Sequence, residues 1–471
     1  MTVVYNQLTE FSDSVRSVRQ FRKQLSVNSE ELSRMLSDLR FCDPVECLLS
    51  EIMPLIAACK YLEKRGRAIL KPVRLSRMSS PWWLGGHSAE IIRVPLGSIL
   101  ILSPSNYPLM LGGIQLVQGL FAGNRMTLKP SPGAVELWDF IATLLANAGF
   151  QSNTFEIADA SLDELDRCLE DGLDLVIMTG GHQNGRIVQQ KAAKVGVPVI
   201  LELSGWDPFI IGPNADPDVV LQALNFGVRL NNSRTCIAPH RIFIPQNSYA
   251  EYRNLLSSHD WSGINVPALS EDHKKSIQSA IRESLTQGAE LARGDRERLN
   301  TWPLVLTNCH PDMPVCREDL FVPLLALIPY GNDTDLADTV NHCPFALGAS
   351  IFSGDLRWAR ELVSRLEAGV VTINDVVAPT ADPRIPFSGF KASGHGVTRG
   401  PDGLLSLTRP KAVLSQSHKI HRHYQSVPDF LGPFMHRLLE LTAAQSISQK
   451  LSSVRKLVQV CLSISKKKHN K

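Results

Sequence analysis

No run in these 471 residues approaches the ~18 or more consecutive apolar residues that a membrane-spanning helix needs. The N-terminus has no basic segment followed by an apolar core, so no secretory signal is expected. The nine cysteines, an odd number, include no Cys-x-x-Cys pair. That argues against a disulfide framework or a zinc site, so no metal is expected, and it favours reduced thiols in a cytoplasmic compartment. Low-complexity tracts and internal repeats are missing too. Net charge is scarce at +3, which calls for no nucleic-acid partner. What charge there is lies unevenly. Residues 414–471 hold ten Lys/Arg against two Asp/Glu, a surplus of +8, which leaves −5 on the 413 residues before them. A mildly acidic body carries a basic tail.

At this length two or three domains are the default. Residues 9–70 read as helices, with Leu49, Ile52, Leu55, Ile56, Cys59 and Leu62 at helical spacing. A Pro/Ser/Gly-rich passage from Ser79 to Gly86 breaks the pattern, and Ala89–Val94 reads as one arm of a hairpin. Short apolar runs then alternate with helical stretches. Strands are expected at 98–102, 125–128, 175–178, 197–201 and 241–244, with helices at 134–148, 184–194 and 217–230. A second series of strands is expected at 304–306, 324–329, 349–352 and 370–373. Such alternation predicts an α/β protein built from two consecutive, mainly parallel sheets, each covered on both faces. Beyond Val413, residues Ile447, Leu451, Val454, Val458 and Cys461 mark one apolar helix face, with lysines and arginines around it. The plain reading is a helix docked on the body or on a neighbouring subunit. The other is weak contact of this basic tail with a membrane surface.

Chemistry enters at Cys236, in Asn231-Asn232-Ser233-Arg234-Thr235-Cys236-Ile237-Ala238-Pro239, and at Glu202 in Glu202-Leu203-Ser204-Gly205. The interval leaves room for a helix that returns the thiol to the carboxylate. A cysteine can take a carbonyl carbon covalently, and a nearby carboxylate can activate the water that releases it.

Other segments join these in a fixed order: Pro104-Ser105-Asn106-Tyr107-Pro108, Lys129-Pro130, Thr179-Gly180 through Gly185, the Glu202 and Cys236 segments, Glu318-Asp319-Leu320-Phe321, and Pro386-Phe387-Ser388-Gly389-Phe390-Lys391-Ala392-Ser393-Gly394. Each alone is weak, because short motifs match by chance. Together they resemble the aldehyde dehydrogenase superfamily from about Glu46 to Val413. The short N-terminal region and Ile373-Asn374-Asp375-Val376-Val377 look most like the branch acting on medium-chain, aromatic and fatty aldehydes.

The resemblance implies oxidation of an aldehyde to a carboxylic acid with NAD or NADP. Cys236 would attack the aldehyde, Asn106 and the Cys236 backbone N–H would hold the oxyanion, and Glu202 would activate water against the thioester. Lys129 and Ser131 would meet the adenosine ribose. Gly180, Gly181 and Gly185, where a strand runs into a helix, would admit the pyrophosphate. Asp319 would bind the nicotinamide ribose, and Phe321 would pack beside the ring. Residues 1–201 would form a helical N-terminus and a Rossmann-like coenzyme domain, 202–384 the catalytic domain, 385–414 a return segment and 415–471 the basic helical tail. A hairpin over 75–94 and a strand over Leu404–Leu414 would join a homodimer or homotetramer.

The chain departs from the family pattern in places. Ser105 replaces a tryptophan, Ser233-Arg234 replace Gly-Gln, Trp206 replaces a lysine, Gly181-His182 replace Ser-Thr, and Asp319 replaces a glutamate. Arg234, two residues before Cys236, is expected to lower the thiol pKa. Pro132 stands where NAD-preferring relatives often carry a carboxylate, so use of NADP is expected; Glu136 is the carboxylate nearest in sequence that reaches the ribose if its helix begins early. Two rivals remain: a coenzyme A-acylating enzyme of the same fold, which Glu202 argues against, and a catalytically idle relative serving as a binding protein.

Overall fold

Helix-forming stretches with one apolar face open the chain, and their ends are set by local chemistry. The computed structural model describes residues 2–80, 87–161, 163–331, 333–416, 424, 426–428 and 430–469. Two units divide the chain, Met1–Val73 with Ile91–Ala412 and Arg74–Glu90 with Val413–Lys471.

In the first unit, helices span Thr2–Val27 and Ser29–Arg40. The second stops at Phe41, whose left-handed backbone (φ 55) returns its N–H to the Ser37 carbonyl. Asp43 then caps the next turn by accepting from Val45 N at 2.7 Å, with Pro44 at the first helical position. Pro44–Cys47 runs into a π-helical turn, Leu48–Ile52, and on into the helix Met53–Leu70. Across this wider π turn the buried positions are Cys47, Glu51 and Ile52. Leu49, expected on the apolar face, is 58% exposed.

A six-stranded sheet follows, in the order Gly394–His395, Val199–Glu202, Leu175–Thr179, Ser98–Leu102, Arg125–Lys129, Phe155–Ile157. It is parallel except for the first strand. Separate apolar clusters cover its two faces: one around Leu55, Phe121 and Trp138, the other around Leu169, Val176 and Leu201. Double burial is why its strands are continuous apolar runs.

A seven-stranded sheet takes Glu290–Arg293, Leu304–Thr307, Leu324–Tyr330, Pro239–Pro245, Asp207–Ile211, Gly348–Phe352 and Val370–Ile373 in that order, with only the first strand antiparallel. The α/β architecture with two mainly parallel sheets is thus present. Four strands of these sheets were not expected: Phe155–Ile157, Asp207–Ile211, and the two antiparallel edge strands Glu290–Arg293 and Gly394–His395. The first is only three residues long. The second opens on Asp207-Pro208, which looks like a turn, but Pro208 sits at a register shift, the kind of irregularity at which a strand tolerates proline.

A three-stranded sheet takes Val73–Arg74, Ser88–Pro95 and Thr408–Ser415. The late strand begins at Thr408, not at Leu404, because Gly400–Ser406 forms a short helix that buries Leu404. The centre of the expected hairpin, residues 81–86, lies outside the described residues. In the second unit, helices Leu431–Ala443 and Ile447–His469 pair, with Lys456 3.7 Å from Glu440. The apolar face read from the tail is uncovered: Ile447, Leu451, Val454 and Val458 are all exposed. Among the described residues no helix is long and apolar enough to cross a membrane.

Candidate active site

The carboxyl ends of the parallel strands are where ligands enter such sheets, and Glu202 is the last residue of one. Its side chain is buried, with Oε2 accepting from Thr398 Oγ1 at 2.7 Å. Oε1 has no partner. Glu202 lines a cavity of about 910 Å³ together with Cys236 and Arg399. The rest of the wall is mostly apolar, including Leu49, Met110, Leu111, Phe226, Leu230, Val377 and Phe387. The π turn has put Leu49 there.

Cys236 reaches this cavity from the helix Pro217–Arg229 through a tight turn. Asn231, Asn232 and Ser233 all have left-handed backbones (φ 52, 53 and 61), a conformation that asparagine tolerates better than most residues. The side chain of Asn231 laces this turn to the neighbouring loop. Its Nδ2 donates to the Asn106 carbonyl at 2.9 Å and to the Arg234 carbonyl at 3.1 Å. Asn106 Nδ2 in turn donates to the Arg234 carbonyl at 3.1 Å, and Tyr107 and Thr235 share a 2.6 Å hydroxyl contact. Asn106 is thereby held to Arg234, two residues before Cys236. Below it, Gly205 is compulsory: a Cβ there would fall 2.1 Å from the Cys236 carbonyl oxygen.

Electrostatics at the thiol oppose each other. Burial and then the charges of Glu202 and Asp207 push the Cys236 thiol well above the ordinary range, whereas the Arg399 guanidinium pulls it down. Arg399 is 8% exposed and sits at φ 60. Its Nη1 donates to the Thr380 carbonyl at 3.2 Å, and its guanidinium lies 4.0 Å over the Phe387 ring. Phe387 belongs to the small apolar cluster against which Cys236 packs. The Arg399 Nε has no partner. Thr398 and Arg399 were missed in the sequence, although they lie only four and five residues beyond the Pro386–Gly394 motif.

Arg234, expected to act on the thiol, points elsewhere. Its Nη2 donates to the Arg40 carbonyl and to Asn231 Oδ1. The positive charge that draws the Cys236 thiol down is that of Arg399. Trp206, in place of a lysine, is a core residue: it stacks on His240 at 3.8 Å and donates from Nε1 to the Val315 carbonyl.

The coenzyme candidates do not line the large cavity. Lys129 ends its strand with Nζ donating to the Ala160 carbonyl at 2.9 Å, and burial lowers its pKa. Ser131 is buried, its Oγ turned inward to the Pro104 carbonyl. Gly180 and Gly181 lead into the helix His182–Lys194, with open space above Gly181. Gly185 instead serves packing, since a Cβ would fall 2.5 Å from Leu203 Cδ2. Ser204 joins two of these parts: its Oγ accepts from His182 N at 3.1 Å and its side chain hydrogen-bonds Asp319. Burial pushes the Asp319 carboxyl up to about 6 against the pull of Ser204 and the Phe321 N–H, and its Oδ1 has no partner. Phe321, at φ 50, is partly buried beside it. An unsatisfied carboxylate oxygen beside an open N-terminus of a 13-residue helix fits a ligand with ribose hydroxyls and phosphate charge.

The model of the aldehyde dehydrogenase family matches residues 7–413. A Methylomonas protein named 4,4'-diapolycopene aldehyde oxidase is 30% identical, over 87% of this chain and 78% of its own length. The 4,4'-diaponeurosporen-aldehyde dehydrogenase of Staphylococcus aureus is 26% identical over 87% of this chain and 90% of its own. Among solved structures, Mycobacterium tuberculosis aldehyde dehydrogenase complexed with NAD+ shares the fold with a TM-score of 0.78 at 22% identity, covering 87% of this chain and 86% of its own.

Proposed function

The chain belongs to the aldehyde dehydrogenase family, whose general reaction is NAD(P)-dependent aldehyde oxidation, and we propose that it oxidises a long apolar aldehyde to the carboxylic acid through a thioester on Cys236. The observation that carries this reading is the shared cavity: Cys236 and Glu202 line it together, and Glu202 keeps one oxygen unpartnered.

Cys236 attacks the aldehyde carbon as thiolate, helped by the Arg399 charge. The Asn106 amide turns from the Arg234 carbonyl to the oxyanion, beside the Cys236 N–H. Lys129, the turn at Gly180 and Gly181, and Asp319 with Phe321 would hold a nicotinamide coenzyme, which would supply the hydride acceptor that oxidation of the thiohemiacetal carbon needs. Glu202 then takes a proton from water at Oε1 while Thr398 steadies Oε2, and the water oxygen displaces the thiolate from the acyl carbon. In this reading residues 1–201 form the coenzyme domain and 202–384 the catalytic domain. Two or four copies associate through the strand Thr408–Ser415, seven of whose eight residues are exposed, and the enzyme works in the cytoplasm.

The substrate class rests on the apolar wall and on two relatives named for polyene aldehydes. A homologous series of straight-chain aldehydes tests it. Each buried methylene is worth about 0.8 kcal/mol, so kcat/KM is expected to rise at least about tenfold from four to ten carbons. A preference for succinate semialdehyde over decanal would overturn the apolar assignment.

A further inference from the structure

Cys42 lies in the turn that joins the helix Ser29–Arg40 to Pro44–Cys47, Cys47 ends the latter, and their sulfurs lie 3.2 Å apart. Cys42 is partly exposed and Cys47 is buried. Both thiols are free of the catalytic cavity. The pair is unequal. The contact with Cys47, and then the charge of Arg40, hold the Cys42 thiol below the ordinary range against burial. The contact with Cys42, and then burial, push the Cys47 thiol far up. Arg40 Nη1 stands 3.8 Å from Cys47 Sγ. One accessible sulfur is thus biased toward thiolate and its contact partner toward thiol.

The same arginine ties this turn to the reacting loops. Fully buried, it reaches Glu46 at 3.0 Å, Glu51 at 3.3 Å and Asn231 Oδ1 at 3.3 Å. Glu51 Oε2 accepts from Leu109 N and Met110 N, at 2.8 and 2.9 Å, just after Asn106-Tyr107-Pro108. Glu46 Oε1 accepts from Asn231 N at 3.0 Å. Asp43, Val45 and Glu46, all between the two cysteines, line the cavity.

We propose that Cys42 and Cys47 are a reversible oxidation site, closed to a disulfide by a hydroperoxide and coupled to the substrate cavity through the turn between them. The Cys42 thiolate attacks one peroxide oxygen, the O–O bond breaks, and hydroxide (for hydrogen peroxide) leaves with the second oxygen. Cys42 is then a sulfenic acid. The Cys47 sulfur displaces its oxygen, giving the disulfide and water, while the Cys47 proton and the proton Cys42 had shed complete two waters in all. The two thiols lose two electrons and the peroxide gains them. A dithiol reverses the step. Among cytosolic proteins such disulfides are usually transient and redox-sensing.

The whole protein, treated with a small excess of hydrogen peroxide, is digested and mapped by mass. The peptide Phe41–Lys60, which also holds Cys59, is expected to lose two hydrogen atoms with its fragment ions placing the bond between Cys42 and Cys47, to regain them with dithiothreitol, and to remain unchanged in Cys42→Ser. In Cys47→Ser a dimedone adduct is expected on Cys42. Should Cys47→Ser not fold, the wild type and Cys42→Ser decide alone. Two free thiols, or an over-oxidised Cys42 beside a free Cys47, would overturn the site. These covalent readouts are independent of the catalytic reading. The coupling rests on that reading: KM for the aldehyde should differ at least about threefold between reduced and oxidised wild type, but not in Cys42→Ser. An unchanged KM with the disulfide formed would overturn the coupling.

Discussion

Thr398 donates its hydroxyl to Glu202 at 2.7 Å, across 196 residues of chain, and occupies only one of the two carboxylate oxygens. The pairing steadies the side chain while Oε1 stays unpartnered inside the protein. A buried oxygen without a partner costs roughly 1–3 kcal/mol. Its retention is understandable when water and substrate are to meet it there. In the reading above, attack belongs to Cys236 and release belongs to Glu202, so the two steps separate by mutation.

Glu202→Gln keeps the volume and the contact with Thr398 but removes the base. Rapid mixing with aldehyde should show a burst of about one reduced coenzyme per site, followed by turnover slowed roughly 10²–10⁴-fold. Loss of the burst along with turnover would place Glu202 in the first step instead. Cys236→Ala should show neither phase, which separates this enzyme from an idle relative.

The Arg399 charge pulls the Cys236 thiol down while burial and two carboxylates push it up. Removing the cation leaves only the upward influences, so the thiolate forms at higher pH. Arg399→Met is expected to move the pH profile of iodoacetamide alkylation upward by about one unit, near tenfold in rate at neutral pH. Arg399→Lys should shift it far less. Arg234→Gln should leave the profile in place, because that side chain is committed to Arg40 and Asn231. A profile unmoved in Arg399→Met would remove Arg399 from the chemistry.

Asp319 binds its proton more tightly when folded, with its pKa pushed up to about 6 by burial. A carboxyl with a raised folded pKa favours the native state at low pH, and that advantage is lost as pH rises toward about 6. Asp319→Asn is therefore expected to raise Tm by a few degrees above pH 6, with the gain vanishing near pH 4. The same variant should weaken coenzyme binding about tenfold, since the amide is a poorer acceptor for a ribose hydroxyl. Equal Tm values across that range would contradict the burial argument.

Pro132 is exposed, three residues beyond Lys129, where a carboxylate would repel a 2′-phosphate. Initial rates with both coenzymes should differ in kcat/KM by less than about a hundredfold. A larger preference for NAD would point to Glu136, exposed in the first turn of its helix, as the excluding group.

Local pattern carried much of the architecture. Continuous apolar runs such as Leu175–Met178 and Val199–Leu201 announce doubly covered parallel strands, and the helices between them have their own periodicity. Asp207–Ile211 escaped because its opening proline looks like a turn until the register shift beside it is seen. Leu49 was misplaced for a similar reason: a π turn changes the period within a single helix.

The chain's order of motifs, its alternation of strands and helices, and the chemical types available at 202 and 236 are properties of the linear sequence, because each depends on near neighbours. Where a side chain points does not. Arg234 stands two residues from Cys236 and turns away, whereas Arg399 arrives from 163 positions later and faces the same cavity as the thiol. Trp206 follows Glu202 closely yet joins the core of the second sheet. Those directions were decided by packing between distant elements, which assigns each polar group whatever partner the folded neighbourhood supplies.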